Sequence, residues 1–297
     1  MTAPTKPRLH LSKDRKVSPH GIFQAKDNRW LPSVPNSFGL PAGASCPGRT
    51  TFCDACYAVR SEQSQGVRAA MEHNLTLLSA ARTVSGMAEL LDEAITYFEQ
   101  LATRRGLDRR DWVFRIHWDG DFFSLAYARA WAQVIAAHPR VQFWAYTRSF
   151  NDRVNVVPIL VGLDNLALYL SVDQWNVDRA RVQVAAHPQV RLAGSHEDFK
   201  GARILTVLAR GLDGKTTSSI NCPENAGLIK LMNDGRGACT DCRVCITGST
   251  DVAFATSRRE LVPSSTARRC PTRATPTKPL TEQVPGVAAG KGRASVR

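Results

Sequence analysis

Clustered cysteines constrain this chain more than any other feature. The sequence holds eight cysteines, and seven of them fall into two groups. Cys46, Cys53 and Cys56 are spaced C-x6-C-x2-C, and Cys222, Cys239, Cys242 and Cys245 are spaced C-x16-C-x2-C-x2-C. Cys270 stands apart. Thiols separated by two residues let one turn of backbone offer both to a single metal centre. A chain of 297 residues has no need of disulfide staples to build a core. The grouping therefore points to ligands of a metal or iron–sulfur centre, against a disulfide framework or scattered core thiols.

Composition excludes two classes. Hydrophobic residues make up 43% and charged residues 22%, which suits a globular fold and not a mainly disordered chain. No apolar run approaches the ~18 residues of a membrane span. The segment 1–29 is polar and lacks the apolar core of a secretory signal, so the expected location is the cytoplasm. The net charge of +13 sits at the ends. Residues 1–30 carry seven Lys/Arg against two acids, and residues 258–297 carry nine against two. The middle holds 23 against 22. Basic ends hold a polyanion loosely or simply keep a protein soluble, and both readings stay open.

Between the cysteine groups the pattern alternates between helix and strand. Ser61 is expected to cap a helix running to about Arg82, and a second helix carries Met87, Leu91, Ile95 and Phe98 on one face before Gly106. Ser124 caps a third helix, with Leu125, Ala128, Ala132 and Ile135 as its stripe. Strands are expected at 112–118, 141–147, 166–172, 190–193 and 203–209, with helical stretches near 151–162 and 176–186. Repeated βα units imply a parallel sheet with helices outside. The expected domains are a basic arm (1–30), a (β/α) domain (31–210), a cysteine-rich region (211–257) and a basic disordered tail (258–297).

Two strands carry polar residues on one face. In 112–118, Trp112, Phe114, Ile116 and Trp118 share one face, while Val113, Arg115 and His117 share the other and lead on to Asp119 and Asp121. In 166–173, Ala167, Tyr169, Ser171 and Asp173 oppose Leu166, Leu168, Leu170 and Val172. Strands covered on both sides are expected to be apolar on both faces. Polar residues gathering toward strand C-termini suit a partial barrel with a ligand inside; an edge strand facing water is the plainer reading.

The segment from Ser45 to Ala58, with its C-x6-C-x2-C-Y-A signature, resembles three-cysteine phage proteins related to radical S-adenosylmethionine (SAM) enzymes. The chain is similar, from about Ser37 to Cys245, to the gene product 88 family of actinobacteriophages and plasmids. The shared elements are the cysteine trio, Gly120 to Ser124, Tyr146 to Arg148, and the late Cys-Pro and Cys-x2-Cys group.

The resemblance implies a partial (β/α) barrel of radical SAM type with a C-terminal cysteine-rich cluster region. It implies a [4Fe–4S] cluster on Cys46, Cys53 and Cys56 with one iron open to SAM. It places Asp119, Gly120 and Asp121 near the SAM amino group, Ser171 and Asp173 near its carboxylate or ribose, and Arg148 or His117 at substrate or carboxylate.

The late group matches the first three ligands of a ferredoxin-type cluster, completed by Cys222 or by Cys270, and zinc is the rival at Cys222, Cys239, Cys242 and Cys245. Three classes of function follow: a radical SAM-like enzyme with an electron donor and a nucleic-acid or protein substrate, a non-catalytic nucleic-acid-binding protein with structural centres, and a relic fold serving as an interaction partner. No P-loop or helix-turn-helix is evident.

Overall fold

The computed structural model describes residues 7–56, 58–195, 220–225 and 227–254. The expected strand at 203–209, Cys270 and the basic tail at 258–297 lie outside the described residues.

Two short strands, β1 (Gly21–Gln24) and β2 (Arg29–Pro32), form an antiparallel hairpin near the N-terminus. Then come β3 (Ser37–Gly39), α1 (Ala58–Ser61), α2 (Gln65–Ala81) and α3 (Val84–Arg104). The βα series continues with β4 (Val113–Asp119), α4 (Leu125–Ala137), β5 (Gln142–Thr147), α5 (Val157–Leu160), β6 (Leu166–Val172), α6 (Val177–Ala186) and β7 (Arg191–Ser195). The cysteine-rich region supplies β8 (Ile220–Asn221), β9 (Met232–Asn233), β10 (Arg236–Gly237), α7 (Ala238–Cys242), α8 (Val244–Thr247) and β11 (Val252–Phe254).

Seven strands make one sheet in the order β3-β4-β5-β6-β7-β11-β8. Every pairing in it is parallel. The α/β expectation thus holds, with β4 to β7 close to their expected ranges. Because β3 to β7 lie side by side in chain order, right-handed crossovers put their helices on one face. On that face Phe114, Ile116, Phe143, Ala145 and Leu168 pack with Phe98 of α3 and Trp131 of α4. Farther along, Leu170, Val172 and Leu192 pack with Val157 and Ala180. Each fully buried Val, Leu, Ile or Phe among them contributes roughly 1.5–3 kcal/mol by leaving water.

The opposite face has a different cover. Val113, Trp144, Ala167, Tyr169 and Ala193 pack with Val17 from the N-terminal segment and with Ile246 and Val252 from the cysteine-rich region. The second cysteine group is therefore part of the second layer of the fold. Residues 9–37, partly expected as a basic arm, are also built in. Leu9 belongs to the helix-side core and Val17 is fully buried. The Asn36 amide donates to the carbonyls of Asp14 and Val17, both at 3.0 Å. Lys16 pairs with Glu224 at 2.9 Å and Arg8 with Glu93 at 2.6 Å.

Two local expectations are corrected. Ser61 ends α1 and does not cap α2, which begins at Gln65. The intervening Glu62 carboxylate accepts the Ala42 amide and so ties this break to the loop after β3. The second correction is in β4. His117 adopts φ 59°, and the β3–β4 register shifts between Ser37 and Gly39. This left-handed residue breaks the two-residue alternation. His117 consequently turns to the helix side, where its Nε2 meets the Tyr127 hydroxyl at 2.9 Å and its ring contacts Phe122. It does not join Arg115 on the opposite face, so its expected place beside a ligand is not where the fold puts it.

Candidate functional site

The loop carrying the cysteine trio leaves β3 at its C-terminal end and runs to Cys56. Steric fit and polar ties place it across the C-terminal ends of β4, β5 and β6. A Cβ on Gly48 would lie 1.7 Å from the Arg148 carbonyl oxygen, so the loop backbone rests directly on the chain leaving β5. Asn151 donates to the Pro47 carbonyl at 2.9 Å. Asp173, just past β6, is fully buried and accepts from both the Thr50 hydroxyl and the Arg148 guanidinium. Arg148 also lies over the Phe52 ring, 4.8 Å from its centroid. Arg148 and Asp173, expected to touch a cofactor, thus fasten the loop that holds Cys46, Cys53 and Cys56.

Asp121 and Gly120 are structural in a similar way. The Asp121 carboxylate accepts from the Thr147 hydroxyl, the Phe122 amide and the Arg148 amide, each at 2.7 Å. It clips the turn after β4 to the end of β5. Burial pushes its carboxyl up to about 6 in spite of these donors. Gly120 has φ 79°, and a Cβ there would lie 2.6 Å from Ser45 Oγ and 2.7 Å from the Leu40 carbonyl oxygen. Only glycine lets the turn after β4 pass this close to the residues that lead into Cys46.

Asp119 is different. Its Oδ1 accepts the Gly120 amide at 2.8 Å, but its Oδ2 is buried without a partner among the described residues. Burial, with Glu62 adding to it, pushes the Asp119 carboxyl up to about 7. Burial pushes the Cys56 thiol up to about 11, and the charges of Asp119 and Cys53 add to this. Cys46 is raised by burial and then by Asp121 and Cys56. The trio, Asp119 and Asp121 thus share one electrostatic environment at the strand ends. Ser171 lies at the end of β6, where its carbonyl accepts from Asn176 at 3.0 Å.

The second group is gathered as well. Cys222, Cys239, Cys242 and Cys245 line one pocket with Glu224, Arg243 and Val252. Cys239 is raised by burial and by Cys245, with Lys16 and Arg115 opposing. Cys245 is pushed up to about 12 by burial, opposed by a hydrogen bond with the Tyr146 hydroxyl. Arg115 itself pairs with Asp14 at 2.7 Å. A bound cation reverses the penalty on such thiols, since thiolates are then the favoured form. Among the described residues, no three His, Cys, Asp or Glu side chains stand in ligating geometry. The donor chemistry nevertheless fits two thiolate centres, one with three ligands and one with four.

A family model described as Gene product 88 matches residues 9–248. The chain belongs to the Gene product 88 family. It is 38% identical over 258 residues to the "Gene 88 protein" of Mycobacterium phage L5, covering 85% of this chain and 99% of that protein. It is 36% identical over 258 residues to the "Gene 88 protein" of Mycobacterium phage D29, covering 84% of this chain and 99% of that one. No solved structure matches. The span matched by the Gene product 88 model includes both cysteine groups and ends before the basic tail. No described helix is long and apolar enough to cross a membrane.

Sequence reasoning missed Thr50, Phe52 and Tyr146 as partners of the site residues. The Tyr146-Thr147-Arg148 run was visible as a family element. Its division of labour was not: Tyr146 meets the second cysteine group, while Thr147 and Arg148 hold the first. Alternation along β5 supplies the physical reason, since Tyr146 and Thr147 point to opposite faces.

Proposed function

We propose that this Gene product 88 member is an iron–sulfur protein of radical SAM-like type, acting on a substrate that includes nucleic acid as a candidate class. Its first centre would be held by Cys46, Cys53 and Cys56, and a second by Cys222, Cys239, Cys242 and Cys245. The observation that carries the reading is the position of the trio loop, fastened over the C-terminal ends of β4, β5 and β6 by Arg148, Asp173 and Thr50. In sheets of this kind, ligand sites lie at that end. A three-thiolate [4Fe–4S] cluster, when bound, supplies an iron open to an amino-acid-type ligand such as SAM and a single electron for reductive cleavage.

The chain's own residues divide the remaining work. Asp119 offers a buried carboxylate oxygen with no partner among the described residues, suited to an ammonium group. The Asp121 carboxylate already has three donors and keeps the loops in register. Tyr146, Lys16 and Arg115 surround the second centre, where a hydroxyl donor and cations offset thiolate charge. An electron donor of low potential would be the required partner.

One observation favours a second reading. The four-cysteine pocket sits within the packed layer beneath the sheet, as a closed structural centre would, with zinc or iron–sulfur as occupant. A non-catalytic nucleic-acid-binding protein would need no more. Anaerobic purification with iron, sulfide and zinc analysis separates the two. The proposal expects a brown protein with two clusters and loss of one alone in Cys53→Ala. Stoichiometric zinc without acid-labile sulfide refutes it. Calorimetry with SAM on the loaded protein then tests the enzyme reading, and the absence of binding leaves only the structural one.

A further inference from the structure

A cleft lies between α3 and the N-terminal segment. It has a volume of about 450 Å³, within the ~300–1,000 Å³ of small-molecule sites. One wall is the α3 ridge of Tyr97 and Leu101, extended by Arg105 just past the helix end. These residues recur every four positions and so share a face. The other wall brings His10, Lys13 and Ser33.

Three features together define its chemistry. The lining includes two cations and a histidine but no carboxylate. Neither Lys13 nor Arg105 makes an ion pair among the described residues. Tyr97 is 45% exposed, a large aromatic ring left uncovered.

We propose that this cleft binds a nucleotide unit. Lys13 and Arg105 hold the phosphate, and Tyr97 stacks on the base. Cations along a groove with an aromatic platform are the combination used to hold single strands, and guanidinium suits phosphate. An acidic peptide would satisfy the cations but leave the Tyr97 face and the Leu101 floor without a partner. The unit can come from a free nucleotide or from one residue of a strand, and the chemistry at the cleft is the same.

The test uses the full chain, a labelled 15-nucleotide deoxythymidine strand, adenosine monophosphate and poly-glutamate. Anisotropy titrations at several salt concentrations compare the native chain with Lys13→Ala/Arg105→Ala and Tyr97→Ala. These side chains are exposed, so the variants fold. The double variant is expected to bind at least about tenfold more weakly and to lower the salt slope by about 1.4, from about 0.7 per phosphate contact on a single strand. Tyr97→Ala is expected to bind about fivefold or more weakly. A 5-bromouracil strand should photocrosslink to α3 at Tyr97 even where the basic tail adds affinity of its own. Competition by adenosine monophosphate identifies a free nucleotide as the source, and strand binding without it identifies a strand. The proposal is overturned by no binding of either ligand, by equal binding of poly-glutamate, or by unchanged affinity and slope in the double variant with no crosslink on α3.

Discussion

Gly120 separates a steric role from a ligand-binding one. Its φ of 79° disfavours any side chain, by about 1–2 kcal/mol for an L-residue. A Cβ would also lie 2.6 Å from Ser45 Oγ and 2.7 Å from both Leu40 Cβ and the Leu40 carbonyl oxygen. The carbonyl is backbone and cannot rotate aside, so the strand-end loop itself must move. Overpacking of this kind adds about 1–3 kcal/mol. Gly120→Ala is therefore expected to lose about 2–5 kcal/mol in all.

Gly106 provides the control, because its φ is 64° but no atom lies within 4 Å of the place a methyl group would take. Gly106→Ala carries the backbone cost alone. Urea unfolding followed by tryptophan fluorescence measures both variants, and the difference between them isolates the crowding. Because Ser45 precedes Cys46, Gly120→Ala is also expected to lower metal occupancy at the trio while leaving the four-cysteine group loaded. Stabilities of the two variants within about 0.5 kcal/mol of each other would refute the steric account.

Two further perturbations test the same framework. His117 is held neutral by burial, with its ring pushed down to about 3. The unfolded chain binds a proton near the ordinary value of 6.5 while the folded chain does not, so stability is lost as pH falls from about 6.5 toward 3, at up to about 1.4 kcal/mol per unit. Comparing His117→Gln with the native chain across that window should show a flatter pH profile in the variant, and identical profiles would rule the assignment out. Asp173 is fully buried and paired with Arg148. Asp173→Ala is expected to be destabilising by about 3–5 kcal/mol, because it strands a largely buried guanidinium. A double-mutant cycle with Arg148→Ala reads the coupling, and strictly additive losses would show that the pair does not fasten the trio loop.

The alternating series was legible because β4 to β7 are short apolar runs bounded by amphipathic helices. Leu166–Val172 is recovered with the same bounds, and Ser124 caps α4 by accepting the Tyr127 amide at 3.1 Å. The cysteine spacing likewise indicated two thiol groups before any fold was known. Local pattern fails where one residue changes the rule. His117 is a strand residue by composition, but its left-handed backbone reverses which side of β4 faces the helices. Ser61 is a good cap by type, yet Glu62 is held by the loop after β3 and the helix restarts at Gln65.

The sequence by itself indicated β4 to β7, the helices among them and the two sets of donor thiols, since each is a pattern within a few residues, and the βα alternation implied a parallel sheet. Only the tertiary structure decided what those residues contact. The carboxylates of Asp121 and Asp173 look alike in sequence to that of Asp119, and all three lie at or just past strand ends. Long-range partners separate them: Thr147 and Arg148 occupy Asp121, Thr50 and Arg148 occupy Asp173, and Asp119 keeps one buried oxygen without a partner among the described residues. The same holds for the N-terminal segment, whose charge suggested a free arm. Its Val17 and Lys16 are committed to the cysteine-rich layer because that face of the sheet must be covered, and residues more than 200 positions away complete the cover.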